Sequence, residues 1–225
     1  MLLVEISKKL PGFTLNVGFS CHKGEVTGLL GASGSGKSMT LRCLAGLEKP
    51  DEGRIIIDGQ TFFDSAAGIN VPPRQRSCGY LFQQYALFPH MTVAQNMAIG
   101  LSGYAKKNKL TRSQRQDQVM QMLGRLEMES LATKYPSQLS GGQQQRTALG
   151  RMLLGRPQSI LLDEPFSALD SFLRRQIEYD LSTAMRDFDG YQFFVSHDRD
   201  EIFRMCSQIV VLAKGSVEVS GDRQT

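Results

Sequence analysis

Residues 31–38 have the sequence GASGSGKS, which matches the pattern G-x-x-x-x-G-K-S that is suited to binding phosphate groups. They follow the apolar run Val26–Leu30, a predicted strand, and precede a helical pattern over 39–47. Glycines let the backbone curl so that N–H groups point at phosphate oxygens, and the next helix offers its positive N-terminal end. A flexible Gly/Ser loop would leave the Lys-Ser pair unexplained.

The predicted phosphate site therefore comprises Gly31, Ala32, Ser33, Gly34, Ser35, Gly36, Lys37 and Ser38. Within it, we expect Lys37 to neutralise the β- and γ-phosphates of a nucleotide. The Ser38 hydroxyl is expected to bind Mg²⁺.

Two adjacent carboxylates, Asp163 and Glu164, stand at the end of the apolar run 159–162. Ligands of parallel sheets bind at the carboxyl ends of strands, and the phosphate loop begins at such an end. Alone, an Asp-Glu pair after a strand would be ordinary turn chemistry. Together with the phosphate loop, the pair predicts that Asp163 holds Mg²⁺ and that Glu164 polarises an attacking water as general base.

Short apolar runs that alternate with helical patterns predict the fold. Amphipathic segments separate several strand-type runs, which cover Val26–Leu30, 79–82, 159–162, 192–195 and Gln208–Ala213. This order predicts an α/β domain with a mainly parallel sheet. In addition, Asp58 and Gly59 between two apolar runs suit a type I′ hairpin, which predicts a small antiparallel piece beside the sheet.

The middle of the chain, about 84–155, has few strand signals and several helix starts. Thr92 with Gln95, and Thr111 with Gln114, have the spacing of capping boxes, in which the side chains of the two residues bond each other's backbone N–H groups. We therefore expect a helical subdomain that is inserted into the α/β core.

Length and composition limit the class of protein. With 225 residues the chain can build one large core, and 26 basic against 22 acidic residues are too evenly balanced for extensive nucleic-acid binding. The four cysteines form no CxxC pair and no metal-binding spacing, which fits a reduced cytosolic compartment. No apolar stretch reaches the roughly 18 residues of a membrane helix, so we expect any membrane role to need a partner.

The segment LSGGQQQR at 139–146 has no role in a generic phosphate-loop enzyme, and it resembles the signature of ATP-binding cassette (ABC) proteins. Ser140 can cap the helix that follows it. Gly141 and Gly142 leave room for a phosphate at the N-terminus of this helix, which makes a second anion site. A helix cap alone would not explain why further motifs of the family occur in their usual order.

Those further motifs give roles that the resemblance implies. Gln83 resembles the Q-loop glutamine, which joins the Mg²⁺ shell and senses the partner. Asp170, in the segment SALD, resembles the D-loop residue that communicates across a dimer, and His197 resembles the switch histidine that contacts the γ-phosphate. Phe13 is the best-placed aromatic residue to stack on adenine, although a core phenylalanine is the alternative.

The resemblance covers almost the whole chain. It implies a P-loop NTPase fold with a RecA-like core, an antiparallel β subdomain and a helical subdomain, as a single cassette over 1–225. It also implies an ATP-dependent homodimer in which two ATP molecules lie between the phosphate loop of one copy and the signature of the other.

Within the family, the segments GINVPPRQR at 68–76 and YLFQQYALFPHMTV at 80–93 are similar to the ATPases of molybdate, sulfate, thiamine and polyamine importers. Gln84 departs from this pattern, because an acid is common there. The expected partners are transmembrane permease subunits and, indirectly, a solute-binding protein, at the cytoplasmic face of the membrane. The transported substrate stays open, since cassettes do not touch cargo.

The sequence fits other functions within the family less well. A DNA-repair ATPase would insert a long coiled coil between phosphate loop and signature, whereas 38–139 is short and lacks heptads. Translation ATPases usually carry two cassettes in one chain. A scaffold without catalysis is opposed by the presence of Glu164 and His197. The segment 221–225 falls near where many relatives begin a C-terminal regulatory domain, which leaves open whether the native chain is short or longer.

Overall fold

The computed structural model describes residues 1–166, 171–186 and 188–222, which divide into two compact units. The first unit comprises Met1–Tyr80, Gln158–Glu164 and Phe188–Thr225, and the second comprises Leu81–Pro157 and Pro165–Asp187, as far as these ranges are described. The expected single cassette over 1–225, with a helical subdomain at about 84–155, stays a prediction.

The described residues form an eleven-stranded sheet. Its strands are β1 (Leu2–Leu10), β2 (Phe13–Cys21), β3 (Val26–Leu30), β4 (Glu52–Ile57), β5 (Gln60–Asp64), β6 (Ile69–Asn70), β7 (Cys78–Leu81), β8 (Ser159–Asp163), β9 (Tyr191–Val195), β10 (Gln208–Ala213) and β11 (Ser216–Asp222). They lie in the order β6-β5-β4-β1-β2-β11-β10-β3-β9-β8-β7. All five predicted strands are therefore present.

The sheet has a parallel core and an antiparallel region. Strand β3 pairs in parallel with both β10 and β9, and β9 pairs in parallel with β8. Strands β1, β2, β4, β5 and β6 pair in antiparallel fashion, and one parallel bridge between Asn16 and Ser216 joins this region to β11. The predicted fold class is confirmed, with the antiparallel part continuous with the main sheet.

Burial explains why these segments form strands. Every residue of β8 and β9 is buried, as expected for central parallel strands that are covered on both faces. In β2, buried residues alternate with exposed or half-buried ones, which is the pattern of a strand with one covered face. Leu15 of β2 belongs to the same apolar cluster as Leu29 of β3 and Phe193 of β9, so one core supports both parts of the sheet.

The predicted hairpin joins β4 to β5. Asp58 and Gly59 have φ angles of 50° and 79°, the two positive values that a type I′ turn requires. The Asp58 carboxylate accepts hydrogen bonds from the Tyr191 hydroxyl at 2.5 Å and forms an ion pair with Lys23 at 2.7 Å. The turn is thereby tied to strand β9.

The helices are α1 (Lys37–Ala45), α2 (Val93–Gly100), α3 (Ser102–Lys107), α4 (Arg112–Arg125), α5 (Gly141–Leu154), α6 (Ser171–Arg186) and α7 (Arg199–Met205). Both predicted capping boxes are present, at Thr92 for α2 and at Thr111 for α4. No helix in the described ranges is long and apolar enough to cross a membrane.

Helices α2 and α5 of the second unit pack closely. A Cβ atom added at Gly100 of α2 would overlap the Arg151 carbonyl oxygen of α5, so only glycine allows this approach. On the other side of the contact, a Cβ atom at Gly150 would lie 2.7 Å from the Met97 methyl group. Two glycines therefore set the spacing of this helix pair.

Candidate functional site

The loop 31–36 connects the end of β3 to the start of α1. Gly34 and Gly36 have φ angles of 78° and 107°, a region that disfavours residues with a side chain. Gly36 is the N-cap of α1 and provides no side-chain hydrogen bond to the first turn. No side chain at the N-cap therefore occupies the first N–H groups of α1. These groups stay available to bind an anion at the N-terminus of the helix.

The Lys37 ammonium group is buried inside this loop. Its Nζ donates to the carbonyl oxygens of Gly31 at 2.8 Å and Ala32 at 3.0 Å. Burial lowers the pKa of Lys37, and the nearby Glu164 and Asp163 carboxylates oppose this shift. In the part of the chain that the structure describes, the hydrogen bonds of this buried cation go to neutral carbonyl oxygens, which suits exchange for a phosphate ligand.

Ser35 gives a second indication of a ligand in the loop. Its side chain is 4% exposed, and its hydroxyl has no hydrogen-bond partner among the described residues. The hydroxyl oxygen would lie 2.7 Å from a Cβ atom added at Gly31, so it sits beside the start of the loop. Leaving a buried hydroxyl unpaired costs about 1–3 kcal/mol, which a bound phosphate oxygen would recover.

Asp163 ends strand β8 and meets two hydroxyl groups. Its Oδ1 accepts a hydrogen bond from Ser38 Oγ at 2.7 Å, and its Oδ2 accepts one from the Tyr80 hydroxyl at 2.9 Å. The Asp163 residue is 7% exposed. A carboxylate and a serine hydroxyl in contact are hard oxygen donors, so the residues present fit Mg²⁺.

Glu164 and His197 lie together just beyond the carboxyl ends of β8 and β9, which are neighbours in the sheet. The Glu164 N–H donates to the Val195 carbonyl oxygen at 3.0 Å, and Glu164 has a φ of 47°, so its backbone leaves the strand in a left-handed turn. His197 Nδ1 lies 3.4 Å from Glu164 Oε1. Of the two side chains, His197 is 64% exposed and Glu164 is 24% exposed, so both can reach a ligand from solvent.

Buried polar groups hold the segment that carries His197. The Ser196 hydroxyl donates to Glu201 Oε2 at 2.6 Å and accepts from the Asp198 N–H at 3.0 Å. Asp198 in turn caps α7 through the N–H groups of Asp200 and Glu201. The backbone on both sides of His197 is thereby fixed, while its ring remains exposed.

Phe13 begins strand β2 and lies beside the phosphate loop. A Cβ atom added at Gly36 would be 3.7 Å from the Phe13 ring, and one added at Gly215 would be 2.7 Å from it. The ring is half-buried and also packs against the core cluster. Its position fits both interpretations from the sequence, a surface for adenine and a core residue.

Gln83 and the signature residues Ser140, Gly141 and Gly142 lie in the second unit. Gln83 is exposed and follows β7. Ser140 is the N-cap of α5 and forms a capping box with Gln143, which confirms the predicted cap. Gly141 is exposed and Gly142 is buried. The predicted Asp170 lies outside the described residues.

The structure thus brings one set of predicted residues together in the first unit: Phe13, the loop 31–38, Asp163, Glu164 and His197. Sequence reasoning missed Tyr80 and the Ser196–Glu201 pair. A tyrosine in a strand usually indicates packing, and its hydroxyl partner depends on which strands are neighbours. A serine and a glutamate five residues apart across a turn also give no recognisable signal.

The chain is similar to known proteins over most of its length. Residues 14–167 match the ABC transporter family. The chain is 44% identical over 202 residues to the Fe(3+) ions import ATP-binding protein FbpC of Haemophilus influenzae, 90% of this chain and 56% of that protein. It is 40% identical over 223 residues to the sulfate/thiosulfate import ATP-binding protein CysA of Synechocystis sp., 98% of this chain and 60% of that protein.

A third relative is the molybdenum import ATP-binding protein ModC of Rhodospirillum rubrum, 38% identical over 224 residues, 98% of this chain and 58% of that protein. The chain therefore spans less than two thirds of the length of these curated relatives. Among solved structures, the dimeric ATP-binding cassette MJ0796 in a post-hydrolysis state, bound to ADP and Pi, matches with a TM-score of 0.83. That match is 30% identical and covers 100% of both chains.

Proposed function

Because the chain belongs to the ABC transporter family, we propose that it is the ATP-binding and ATP-hydrolysing subunit of an importer. The observation that carries the proposal is the cluster of Lys37, Ser38, Asp163 and Glu164 at or beyond the carboxyl ends of β3 and β8, the two parallel strands on either side of β9. Phosphate binding, metal binding and activation of water each need one of these side-chain types. The names of the relatives, which import Fe(3+), sulfate or molybdenum, support a small solute or oxyanion as cargo.

In this proposal the loop 31–38 holds the phosphates of ATP. The first N–H groups of α1 and the Ser35 hydroxyl bind phosphate oxygens, and Lys37 turns from the loop carbonyls to the β- and γ-phosphates. Phe13 stacks on the adenine, which its place beside Gly36 supports. Ser38 and Asp163 would hold Mg²⁺, which would supply positive charge against the phosphates.

Hydrolysis is assigned to Glu164 and His197. Glu164 orients the attacking water and accepts its proton as general base. His197 lies beside Glu164 on a fixed backbone and contacts the γ-phosphate. Because the His197 ring is largely exposed, it can contact the γ-phosphate when ATP is bound and lose this contact when the phosphate leaves.

The second phosphate-binding element supports a shared site. Ser140 caps α5, and the exposed Gly141 at the first position of the helix leaves the helix N-terminus approachable for an anion. One chain has one phosphate loop and one signature, so we place two ATP molecules between the loop of one copy and the signature of the other. Asp170 then communicates across this ATP-dependent homodimer, as the dimeric state of the solved cassette supports.

The remaining partners follow from the importer assignment. Transmembrane permease subunits would dock on a cassette at the cytoplasmic face of the membrane, and a solute-binding protein would act through them. ATP-driven closing and opening of the dimer provides the conformational work, because ATP and its products bind the closed state with different affinities. Nucleic acid has no place in this function.

The experiment is Mg-ATP hydrolysis by the purified chain and by its Glu164→Gln variant. We expect the variant to bind ATP like the unmodified chain and to hydrolyse it at least about 100-fold more slowly, since the base is lost while Ser38 and Asp163 remain. The matched control is Glu218→Gln, which alters an exposed carboxylate on β11. Near-normal turnover by Glu164→Gln would exclude the base role, and an unmodified chain that does not hydrolyse ATP would refute the proposed function.

A further inference from the structure

Asp163 is held on both of its carboxylate oxygens. Ser38 donates to Oδ1 at 2.7 Å and Tyr80 donates to Oδ2 at 2.9 Å. Rotation of the carboxylate would therefore break one hydrogen bond or the other. With Ser38 alone, the group could turn about its Cβ–Cγ bond while it kept that single contact, since this torsion is broad for aspartate.

The sheet and helix α1 keep the Tyr80 hydroxyl in place. Tyr80 lies in β7, the neighbour of β8 in the sheet, and its side chain is half-buried. Arg42 of α1 also hydrogen-bonds this hydroxyl. A neutral tyrosine hydroxyl has one proton to donate, and the 2.9 Å contact directs it to Asp163 Oδ2.

We infer that Tyr80 is a positioning residue for the divalent cation that accompanies ATP, because its hydroxyl fixes the orientation of the Asp163 carboxylate. This inference rests on the proposed function. Groups that hydrogen-bond a metal ligand from behind orient it and tune its affinity, and their loss typically weakens metal binding about 10- to 100-fold. Tyr80 does not contact phosphate or water in this role, and acts only through Asp163.

The same sheet contains a matched control. In β9 the Tyr191 hydroxyl donates to the Asp58 carboxylate at 2.5 Å, at the β4–β5 turn and not among the predicted site residues. Tyr80→Phe and Tyr191→Phe thus each remove one tyrosine-to-aspartate hydrogen bond. Only the first removes a contact to a predicted metal ligand.

The test uses Mn²⁺ as a spectroscopic probe together with a non-hydrolysable ATP analogue. Electron paramagnetic resonance measures the free Mn²⁺ during titration of the unmodified chain and both variants, and the analogue alone is titrated for reference. We expect Tyr80→Phe to bind Mn²⁺ about 10-fold more weakly, and Tyr191→Phe to bind it like the unmodified chain. Affinity for the analogue in EDTA should be the same in all three proteins.

Equal Mn²⁺ affinity in Tyr80→Phe and the unmodified chain would overturn the inference while leaving the proposed function intact. An equal loss of analogue affinity with and without metal would also overturn it, because that pattern indicates general damage. If Tyr80→Phe does not fold, Tyr80→Met removes the hydroxyl and provides the same comparison. An unmodified chain that holds Mn²⁺ no better than the free analogue would refute the proposed function as well.

Discussion

Gly36 links the conformation of the phosphate loop to the packing beneath it. It adopts a φ of 107° at the start of α1, and a Cβ atom added there would overlap the Leu15 side chain. Leu15 is fully buried in β2, so it has little room to move. Gly36→Ala should therefore suffer backbone strain of about 1–2 kcal/mol and overpacking of about 1–3 kcal/mol, roughly 2–5 kcal/mol in total.

A substitution at Gly34, in the same loop, allows the backbone strain to be measured apart from the overpacking. Its φ of 78° also disfavours a side chain, but no atom lies within 4 Å of an added Cβ. Gly34→Ala should show the backbone strain alone. The difference between the two variants in free energy of unfolding then measures the packing against Leu15, about 1–3 kcal/mol.

Urea unfolding followed by circular dichroism provides the measurement, since the chain has no tryptophan for fluorescence. Gly36→Ala should unfold at lower urea concentration than Gly34→Ala, with a similar slope. Equal destabilisation of the two variants would show that the loop does not rest on Leu15. It would refute the reasoning that the core beneath the loop sets its shape.

Two further substitutions test other parts of the molecule. Gly100→Ala should destabilise the second unit by several kcal/mol, since its Cβ would meet the Arg151 carbonyl, whereas Gly103→Ala, with open space around it, should be near neutral in thermal unfolding. Lys37→Ala should lose a charge-assisted contact of about 1.5–3 kcal/mol, or about 10- to 150-fold in ATP affinity by calorimetry. Lys106→Ala, at an exposed position, is the control, and unchanged affinity in Lys37→Ala would remove Lys37 from the site.

The parts of the fold that depend on local pattern were predictable from the sequence. The run Val26–Leu30 is strand β3 with the same ends, and Asp58-Gly59 forms the expected turn. Capping boxes at Thr92 and Thr111 also occur as predicted, because each depends on residues three positions apart. Strand order could not be predicted in this way, since it depends on pairings between distant segments such as β2 and β11.

In the site, too, residues that belong to a local motif were predictable, and residues whose role depends on distant segments were not. Lys37, Ser38, Asp163 and Glu164 were recognisable because phosphate and metal chemistry restrict their types and spacing. In the first unit Ser38 hydrogen-bonds Asp163 directly, and the Lys37 ammonium group lies near the carboxylates of Glu164 and Asp163. Tyr80 was not recognisable, because its role depends on β7 lying beside β8, which no local pattern encodes.

The shared ATP site is tested most directly by mixing two inactive variants. Lys37→Ala disables the phosphate loop, and Ser140→Arg places bulk and charge at the N-terminus of α5, where the γ-phosphate of the other copy should approach. A mixed dimer then has one interface with both defects and one interface with an intact loop and an intact signature.

ATPase rate is measured across mixing ratios, and different affinity tags on the two variants allow the mixed dimer to be isolated. The account predicts a bell-shaped gain over both parent variants, with its maximum at equal amounts. If isolated mixed dimers hydrolyse ATP no faster than either parent, the claim that each signature serves the phosphate loop of the other copy is contradicted.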